Sequence, residues 1–250
     1  MKKKSAIFTT VKNEKIFLPI WLKYYQKYFS NEDIYILDHY SNDGSTLDLP
    51  VNVKLVENDY VNDHDWLVKI AEDFQRDLLK DYECVLFAES DEILYSLEKS
   101  FDQTIDEFIE SDNLYTTFSG FSVIQNLENE SPIRPGDRIF EKRNWWYKDS
   151  AEDKTLMSKV PLDWSWGFHN LKGRNNNYHK DCYIAHLHRF DLQSMIERHK
   201  SRTSFKQKND GGGTHWKSSD DEIQKVFLQV SSQPMMIPEQ HKKSLVNVVY

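Results

Sequence analysis

Three carboxylates follow directly after a strongly apolar run near the middle of the chain. The run covers residues 85–88, and Glu89, Asp91 and Glu92 come next. Such a run with an acidic end is typical of a central strand in an α/β sheet, and open sheets of this class bind ligands at the carboxyl ends of their strands. Carboxylate oxygens suit hard divalent cations such as Mg²⁺ or Mn²⁺. The cluster therefore predicts a metal site, although acids after a strand can also simply cap the next helix.

Two further segments place polar groups at the ends of neighbouring strands. Residues 34–38 form an apolar run that ends in Asp38, and the turn-forming residues 41–46 follow it. Upstream, the β-prone residues 6–10 lead through the polar residues 11–14 into a helical pattern. Strand, helix and strand in this order predict a βαβ unit whose strands are parallel.

Composition favours one large α/β domain. The chain has 250 residues, of which 39% are hydrophobic and 14% aromatic, enough to bury a core without help. A net charge of −8 argues against a nucleic-acid binder, which usually carries a basic surplus. Cys84 and Cys182 cannot form a disulfide framework. No segment approaches the roughly 20 apolar residues of a membrane span, so we expect a cytoplasmic protein that meets a membrane at most peripherally.

We expect a single domain over residues 1–250, with an N-terminal half at 1–97 and a C-terminal half at 98–250 that ends in a lid. Strands are predicted near residues 5–11, 33–38, 52–57 and 84–89, and helices near 66–80, 101–111 and 192–202. The aromatic residues between 145 and 168 could belong to the core or stack on sugar rings. The glycine-rich residues 209–216 could form the lid.

Two histidines and three arginines in the predicted C-terminal half could bind ligands. His186 and His188 are two residues apart, so on a strand both imidazoles face one side and could reach the same ion; otherwise one of them is simply buried and hydrogen-bonded. Arg198 and Arg202 are four residues apart and share a helix face, and Arg189 precedes them. Guanidinium groups match phosphate oxygens, so a diphosphate clamp is possible; a solvated basic face is the alternative.

The order of these motifs resembles the glycosyltransferases of the GT-A fold, in particular the family-2-like group. The resemblance is carried by the Lys12-Asn13-Glu14 loop, the turn at residues 41–45, the acidic cluster at 89–92 and the late motif at 186–189. In that group the acidic motif is usually Asp-x-Asp-Glu, and this chain departs from it with Glu89 at the first acidic position.

The resemblance implies an α/β fold with a Rossmann-like, mostly parallel central sheet flanked by helices, and a C-terminal acceptor and lid region. It makes residues 1–97 the donor half, which binds the nucleotide-sugar, and residues 98–250 the acceptor half, through whose acceptor the enzyme could meet a membrane. It implies transfer of a sugar from a nucleotide-sugar, most readily a UDP-sugar, to a glycan, lipid-linked or protein acceptor, with inversion at the anomeric carbon. The implied cofactor is Mn²⁺ or Mg²⁺, with Asp91, Glu89, His186 and His188 as candidate ligands. The donor-binding candidates are Thr10, Val11, Asn13, Glu14, Asp38, Asp43, Lys69, Gln75, Glu89, Arg189, Arg198, Arg202 and His215.

Candidates for the acceptor chemistry are less clear. An inverting transferase needs a carboxylate that can deprotonate the acceptor hydroxyl. Glu152 and Asp153 match the Glu-Asp pair of the resembling group, but an alignment on Lys154 makes them ordinary loop acids. We therefore keep Asp153, Glu92 and Asp163 as candidate bases and expect His169 to orient the acceptor.

Two other functions compete with a transferase. The protein could be a degenerate transferase that binds nucleotide-sugars without turning them over, which the replacement at Glu89 would explain. It could also be a sugar-nucleotide pyrophosphorylase or a metal hydrolase with the same α/β frame. Those enzymes usually carry a glycine-rich phosphate loop after the first strand, and residues 11–14 contain no glycine.

Overall fold

The fold alternates strands and helices along most of the chain. The computed structural model describes residues 1–59, 63–148, 150–203, 218–231 and 234–250. In chain order the elements are β1 (Lys3–Val11), α1 (Phe17–Tyr25), β2 (Ile34–Asp38), β3 (Asn52–Leu55), α2 (His64–Asp81), β4 (Tyr82–Phe87), β5 (Glu92–Ser96), α3 (Phe101–Glu110), β6 (Tyr115–Ile124), α4 (Ile139–Lys142), β7 (Trp145–Tyr147), β8 (Lys154–Ser158), β9 (Tyr178–Arg189), α5 (Leu192–Thr203), α6 (Asp220–Ser231), β10 (Met235–Met236) and α7 (Glu239–Leu245).

The expected α/β class, with a parallel central sheet flanked by helices, is confirmed. Strand β1 pairs in parallel with both β2 and β4, and β2 pairs in parallel with β3. Beyond β4 the sheet continues through β8, β6, β7 and β10, and these pairings are antiparallel. The predicted βαβ unit is therefore present, and the carboxyl ends of β1, β2 and β4 lie at the same edge.

Strand β9 brings the late histidines beside the acidic motif. It pairs in parallel with β6 and antiparallel with β5, in a register that sets His186 opposite Glu92. A hydrogen bond of 2.7 Å from the Leu187 amide to the Asp91 carbonyl oxygen fixes this approach. Two motifs that are about a hundred residues apart in sequence thus become neighbours.

A continuous apolar core holds these ends in place. The side chains of β4 are fully buried from Cys84 to Phe87, which explains why its sequence is apolar without alternation. Helix α1 packs Trp21 and Tyr25 against the sheet, and the Tyr25 hydroxyl donates to the Glu92 carbonyl oxygen at 3.1 Å. Cys84 and Cys182 are buried free thiols. Within the described ranges, no helix combines the length and the apolar character needed to span a bilayer.

Candidate functional site

An open cleft of about 930 Å³, solvent-open space included, lies at the carboxyl ends of β1 and β2. Its apolar lining comprises Val11, Leu37, Val56, Trp66, Leu67, Ile70 and Phe168. The ring of His39 lies against Trp66 with centroids 4.8 Å apart, and its Nε2 lies 2.9 Å from the Asn58 carbonyl oxygen. This compartment offers flat, apolar walls to a planar ring.

The N-terminus of α2 forms one wall because a local cap starts the helix there. Asp63 lies in extended conformation, and its carboxylate accepts a hydrogen bond of 3.1 Å from the Trp66 amide. An acidic residue in this position is a common helix start. The cap fixes where Trp66 and Leu67 enter the cleft.

Two arginines of α5 line the other side of the cleft, where they are held by Glu14. The Glu14 Oε1 atom accepts from Arg198 Nε at 3.1 Å, from Arg198 Nη2 at 2.9 Å and from Arg202 Nη2 at 2.9 Å. Glu14 is 4% exposed, so a carboxylate is buried there only because two cations pair with it. As the sequence predicted, both arginines share one helix face.

Arg198 also contacts the acidic motif. Its Nη1 atom forms a short ion pair with Asp91 Oδ2, and the same carboxylate oxygen lies 3.3 Å from His186 Nε2. Burial opposes ionisation of Asp91, but Arg198 and His186 hold its pKa well below the usual value. Asp91 is therefore an ionised carboxylate shared between a guanidinium and an imidazole.

A chain of polar contacts continues from His186 to Glu152. The His186 Nδ1 atom lies in short contact with Glu152 Oε2, and the other oxygen of Glu152 accepts from the Ser122 hydroxyl at 2.6 Å. Burial alone would lower the pKa of His186, but the carboxylates of Glu152 and Asp91 raise it well above the usual value. The two carboxylates therefore favour the protonated form of His186, which would have to release a proton to bind a cation.

Glu152, His186 and His188 fit a divalent cation. One ligand atom from each residue lies within 4.8 Å of the others. The buried Nδ1 of His188 has no hydrogen-bond partner among the described residues, and burial lowers the pKa of His188 to about 3. A neutral imidazole with an unused nitrogen is ready to act as a ligand. Two imidazoles and a carboxylate suit Mn²⁺ or a later transition metal better than Mg²⁺, which prefers oxygen ligands.

Gly120 of β6 lets Glu152 come this close. A Cβ atom at position 120 would lie 2.1 Å from the Glu152 carbonyl oxygen, so any other residue would displace that segment. The Gly120 amide also donates to Asp153 Oδ1 at 2.8 Å. The glycine thus fixes the loop that carries Glu152.

Lys154 pairs with the two glutamates of the acidic motif. Its ammonium group lies 2.6 Å from Glu92 Oε1 and forms a short ion pair with Glu89 Oε2. Lys154 is 1% exposed and Glu92 is fully buried, whereas Glu89 also lines the cleft. Burial would lower the pKa of Lys154, but the two carboxylates raise it instead, so it remains a permanent cation.

The segment at residues 166–169 contributes Gly167 and Phe168 to the wall of the cleft. Trp166 is 46% exposed, its ring stacks on His64 with centroids 5.5 Å apart, and its Nε1 donates to Asp65 Oδ1 at 2.6 Å. Gly167 lines the cleft at φ 67°. Burial, aided by Lys154, lowers the pKa of the adjacent His169, whose Nδ1 has no hydrogen-bond partner among the described residues.

Of the remaining predicted residues, Thr10 and Val11 line the cleft. Asp38 accepts from the Ser41 amide at 2.8 Å and from the Thr46 hydroxyl at 2.7 Å, so it organises the turn after β2. Asn13 and Asp43 bind the same turn and line a smaller adjoining pocket of about 390 Å³.

Four other predicted residues lie away from the cleft or outside the described ranges. Lys69 is exposed and pairs with Asp73 on the solvent face of α2. Gln75 is buried, and its Oε1 accepts from the Leu162 amide at 2.8 Å, so it supports the loop before Trp164. Arg189 packs over the Tyr147 ring at 5.5 Å. His215 and the glycine-rich residues 209–216 lie outside the described ranges.

Asp153 and Glu92, two of the candidate bases, are already paired with other groups of the protein. Asp153 accepts from the Tyr178 hydroxyl at 3.1 Å and pairs with Lys148, in addition to its bond from Gly120.

Sequence reasoning left Glu152 and Lys154 out of the site. Glu152 comes just before a β-prone run and Lys154 begins that run. The available signal was that this run could enter the sheet beside the acidic strand.

Neither a protein-family model nor a curated protein sequence matches this chain. Among solved structures, it is similar to a crystal structure of residues 1–349 of S. aureus TarS, with 11% identity, a TM-score of 0.38 and coverage of 91% of this chain and 70% of the other. It is also similar to a cytidylyltransferase from Leptospira borgpetersenii serovar Hardjo-bovis, with 15% identity, a TM-score of 0.29 and coverage of 52% and 57%. Both likenesses are too distant to assign a function, which therefore has to follow from the chain's own residues.

Proposed function

We propose that this protein is a metal-dependent glycosyltransferase of the GT-A type. It would move a sugar from a nucleotide-sugar, first of all a UDP-sugar, to a hydroxyl of a glycan, lipid-linked or protein acceptor. The observation that carries the proposal is the order of environments from the cleft inward. Apolar side chains, Arg198 and Arg202 line the cleft, and behind Arg198 lie Asp91 and the cluster of Glu152, His186 and His188. A nucleobase, a diphosphate and a divalent cation require these environments in this order.

Each part of the donor would meet a matching group. The base would lie against the rings of Trp66 and His39, and the diphosphate oxygens would bond to the guanidinium groups of Arg198 and Arg202, which Glu14 anchors. A divalent cation, when bound, supplies charge neutralisation for the departing diphosphate. Glu152, His186 and His188 would hold it, with Asp91 beside them, and the two imidazoles favour Mn²⁺ over Mg²⁺.

The acceptor would enter past Trp166. This exposed indole is fixed by its hydrogen bond to Asp65 and by its stack on His64, so its open face is a rigid platform for the apolar face of a sugar ring. His169 lies next to it, and its neutral imidazole can accept a hydrogen bond from an acceptor hydroxyl. We propose inversion at the anomeric carbon: the acceptor oxygen would bond to that carbon as its bond to the diphosphate oxygen breaks, and His169 would take the hydroxyl proton.

A thermal-shift titration with UDP, GDP, CDP and TDP, each with and without Mn²⁺, tests the proposal. A ligand at about 100 times its Kd adds about 2.7 kcal/mol to the stability of the folded state. For a chain of this size that corresponds to a rise in Tm of roughly 5 to 10 °C. We expect one nucleotide to give this rise only with metal, and Asp91→Asn to abolish the metal-dependent part.

Lys69→Gln is the matched control, because Lys69 was also predicted to bind the donor but lies on the solvent face of α2. It should behave like the parent. If no nucleotide raises the Tm with or without Mn²⁺, the proposal fails. Nucleotide binding without hydrolysis or transfer of the sugar would favour the alternative, a degenerate transferase that only binds its donor.

A further inference from the structure

Arg198 stands between the two groups that would receive metal and diphosphate. Its Nη1 atom pairs with Asp91, while Nε and Nη2 bond to Glu14 at 3.1 and 2.9 Å. The guanidinium side chain is only 9% exposed, and its plane also lies 4.3 Å from the ring centroid of Phe17. The side chain is thus anchored on three sides, with both of its ionic partners in or next to the candidate site.

We propose that Arg198 is a positioning residue that makes nucleotide and metal binding depend on each other, by occupying Asp91 until a diphosphate draws it away. The inference rests on the proposed function, because it assumes a diphosphate ligand. Without nucleotide, the guanidinium neutralises Asp91 and repels an incoming divalent cation. With nucleotide, the diphosphate oxygens give Arg198 new partners, and the Asp91 carboxylate becomes available to the cation.

The contacts around Arg198 make such an exchange favourable. Two acidic side chains share the guanidinium, so a diphosphate can replace the Asp91 contact while Glu14 still anchors Nε and Nη2. Asp91 is 4% exposed and cannot keep its charge without a cation nearby, so it gains a divalent ion as it loses the arginine. Each ligand therefore removes the obstacle to the other.

Thermodynamic linkage makes the proposal testable with either ligand alone. Coupling between two sites typically changes affinity by about 5- to 150-fold, and the factor is the same in both directions. Arg198→Gln removes the charge that opposes the cation. We expect it to bind Mn²⁺ in the absence of nucleotide at least about fivefold more tightly than the parent. The same variant should bind UDP more weakly, and adding Mn²⁺ should no longer improve UDP binding.

Two controls separate the exchange from a general change in charge. Lys200→Gln removes the same charge from the same helix, but Lys200 is 60% exposed and pairs with Asp220, so the affinity for Mn²⁺ should not change. Arg198→Lys keeps a cation next to Asp91, so it should keep the weak Mn²⁺ binding of the parent. Isothermal titration calorimetry with MnCl₂ alone compares the three variants with the parent.

Asp91→Asn tests the exchange from the other side and does not depend on the folding of an Arg198 variant. Titrated with UDP in EDTA, it should bind more tightly than the parent, because Arg198 is no longer held by a carboxylate. The proposal is overturned if Arg198→Gln binds Mn²⁺ no better than the parent, or not at all, or if Lys200→Gln gains as much. A parent that binds Mn²⁺ but no nucleotide would refute the proposed function and leave the MnCl₂ comparison as a valid test of the Arg198–Asp91 contact.

Discussion

Replacement of Lys154 by methionine should destabilise the protein by an amount that depends on pH. The variant leaves Glu92 fully buried without its ion-pair partner at 2.6 Å. Removing one member of a buried pair costs about 3 to 5 kcal/mol, because the remaining charge is uncompensated. Glu89 adds little to this cost, because its side chain is 33% exposed and water can solvate it.

Protonation sets an upper limit on that cost. A buried carboxyl without a cation becomes neutral, and neutralising a group of ordinary pKa about 4.3 at pH 7 costs about 3.7 kcal/mol. The folded variant then binds one more proton than the unfolded chain, so its stability falls as the pH rises. Burial already raises the pKa of Glu92 in the parent, so we expect a loss of at most about 3.7 kcal/mol at pH 7 that shrinks to at most about 1.6 kcal/mol at pH 5.5.

Urea unfolding of the parent and of Lys154→Met at several pH values between 5.5 and 7.5 measures this difference. The double variant Lys154→Met/Glu92→Gln is the matched control, because it removes the carboxyl group that has to be protonated. It should recover most of the loss and show no added pH dependence. A destabilisation that stays constant across this pH range, or one that the second substitution does not relieve, would refute the reasoning.

Three further changes should have separate effects. Burial lowers the pKa of His241 to about 4. The unfolded chain therefore takes up a proton on this histidine below pH 6.5 while the folded protein does not, so the free energy of unfolding falls as the pH drops towards 4. Urea unfolding should show that the parent loses up to about 3 kcal/mol between pH 7 and 4 through this group, and that His241→Asn does not. Trp166→Ala should raise the KM for the acceptor about tenfold and leave the KM for the donor unchanged in steady-state assays, whereas Trp166→Phe should retain most of the acceptor affinity. Gly167→Ala adds a Cβ atom 2.5 Å from His169 Nε2 at φ 67°, so it should cost more stability in thermal unfolding than Gly173→Ala, where φ is 69° and the Cβ meets nothing within 4 Å. Equal losses for the two alanine variants would mean that the contact with His169 has no cost.

The first strands and helices of the fold were predictable because their signals are local. The apolar runs at 34–38 and 85–88 and the polar breaks after them fix where β2 and β4 end, and the parallel order follows from chain connectivity. Periodicity also predicted α2 to within two residues at each end. The same periodicity puts position 69 on the face opposite Leu67 and Ile70, which is why Lys69 points to solvent.

Glu152 and Lys154 were not predictable in the same way. Their place in the site depends on β8 entering the sheet between β4 and β6, a pairing across about seventy residues of sequence. It also depends on Gly120, whose missing side chain admits the Glu152 backbone. Local patterns contain no information about such a contact, so Glu152 looked like an ordinary loop acid and Lys154 like its neighbouring lysine.

The position of Lys154 gives a physical reason for the unusual glutamate at the start of the acidic motif. The carboxylate of Glu89 reaches Lys154, and the same ammonium group neutralises Glu92 in the core. An aspartate at position 89 would have one methylene less with which to span this distance. The cation site would then lie with Asp91 and the cluster of Glu152, His186 and His188, and Glu89 would serve to keep Lys154 in place. On this reasoning Glu89→Asp should not create a better metal site; it should instead weaken the ion pair with Lys154 and lower stability, with the affinity for Mn²⁺ unchanged.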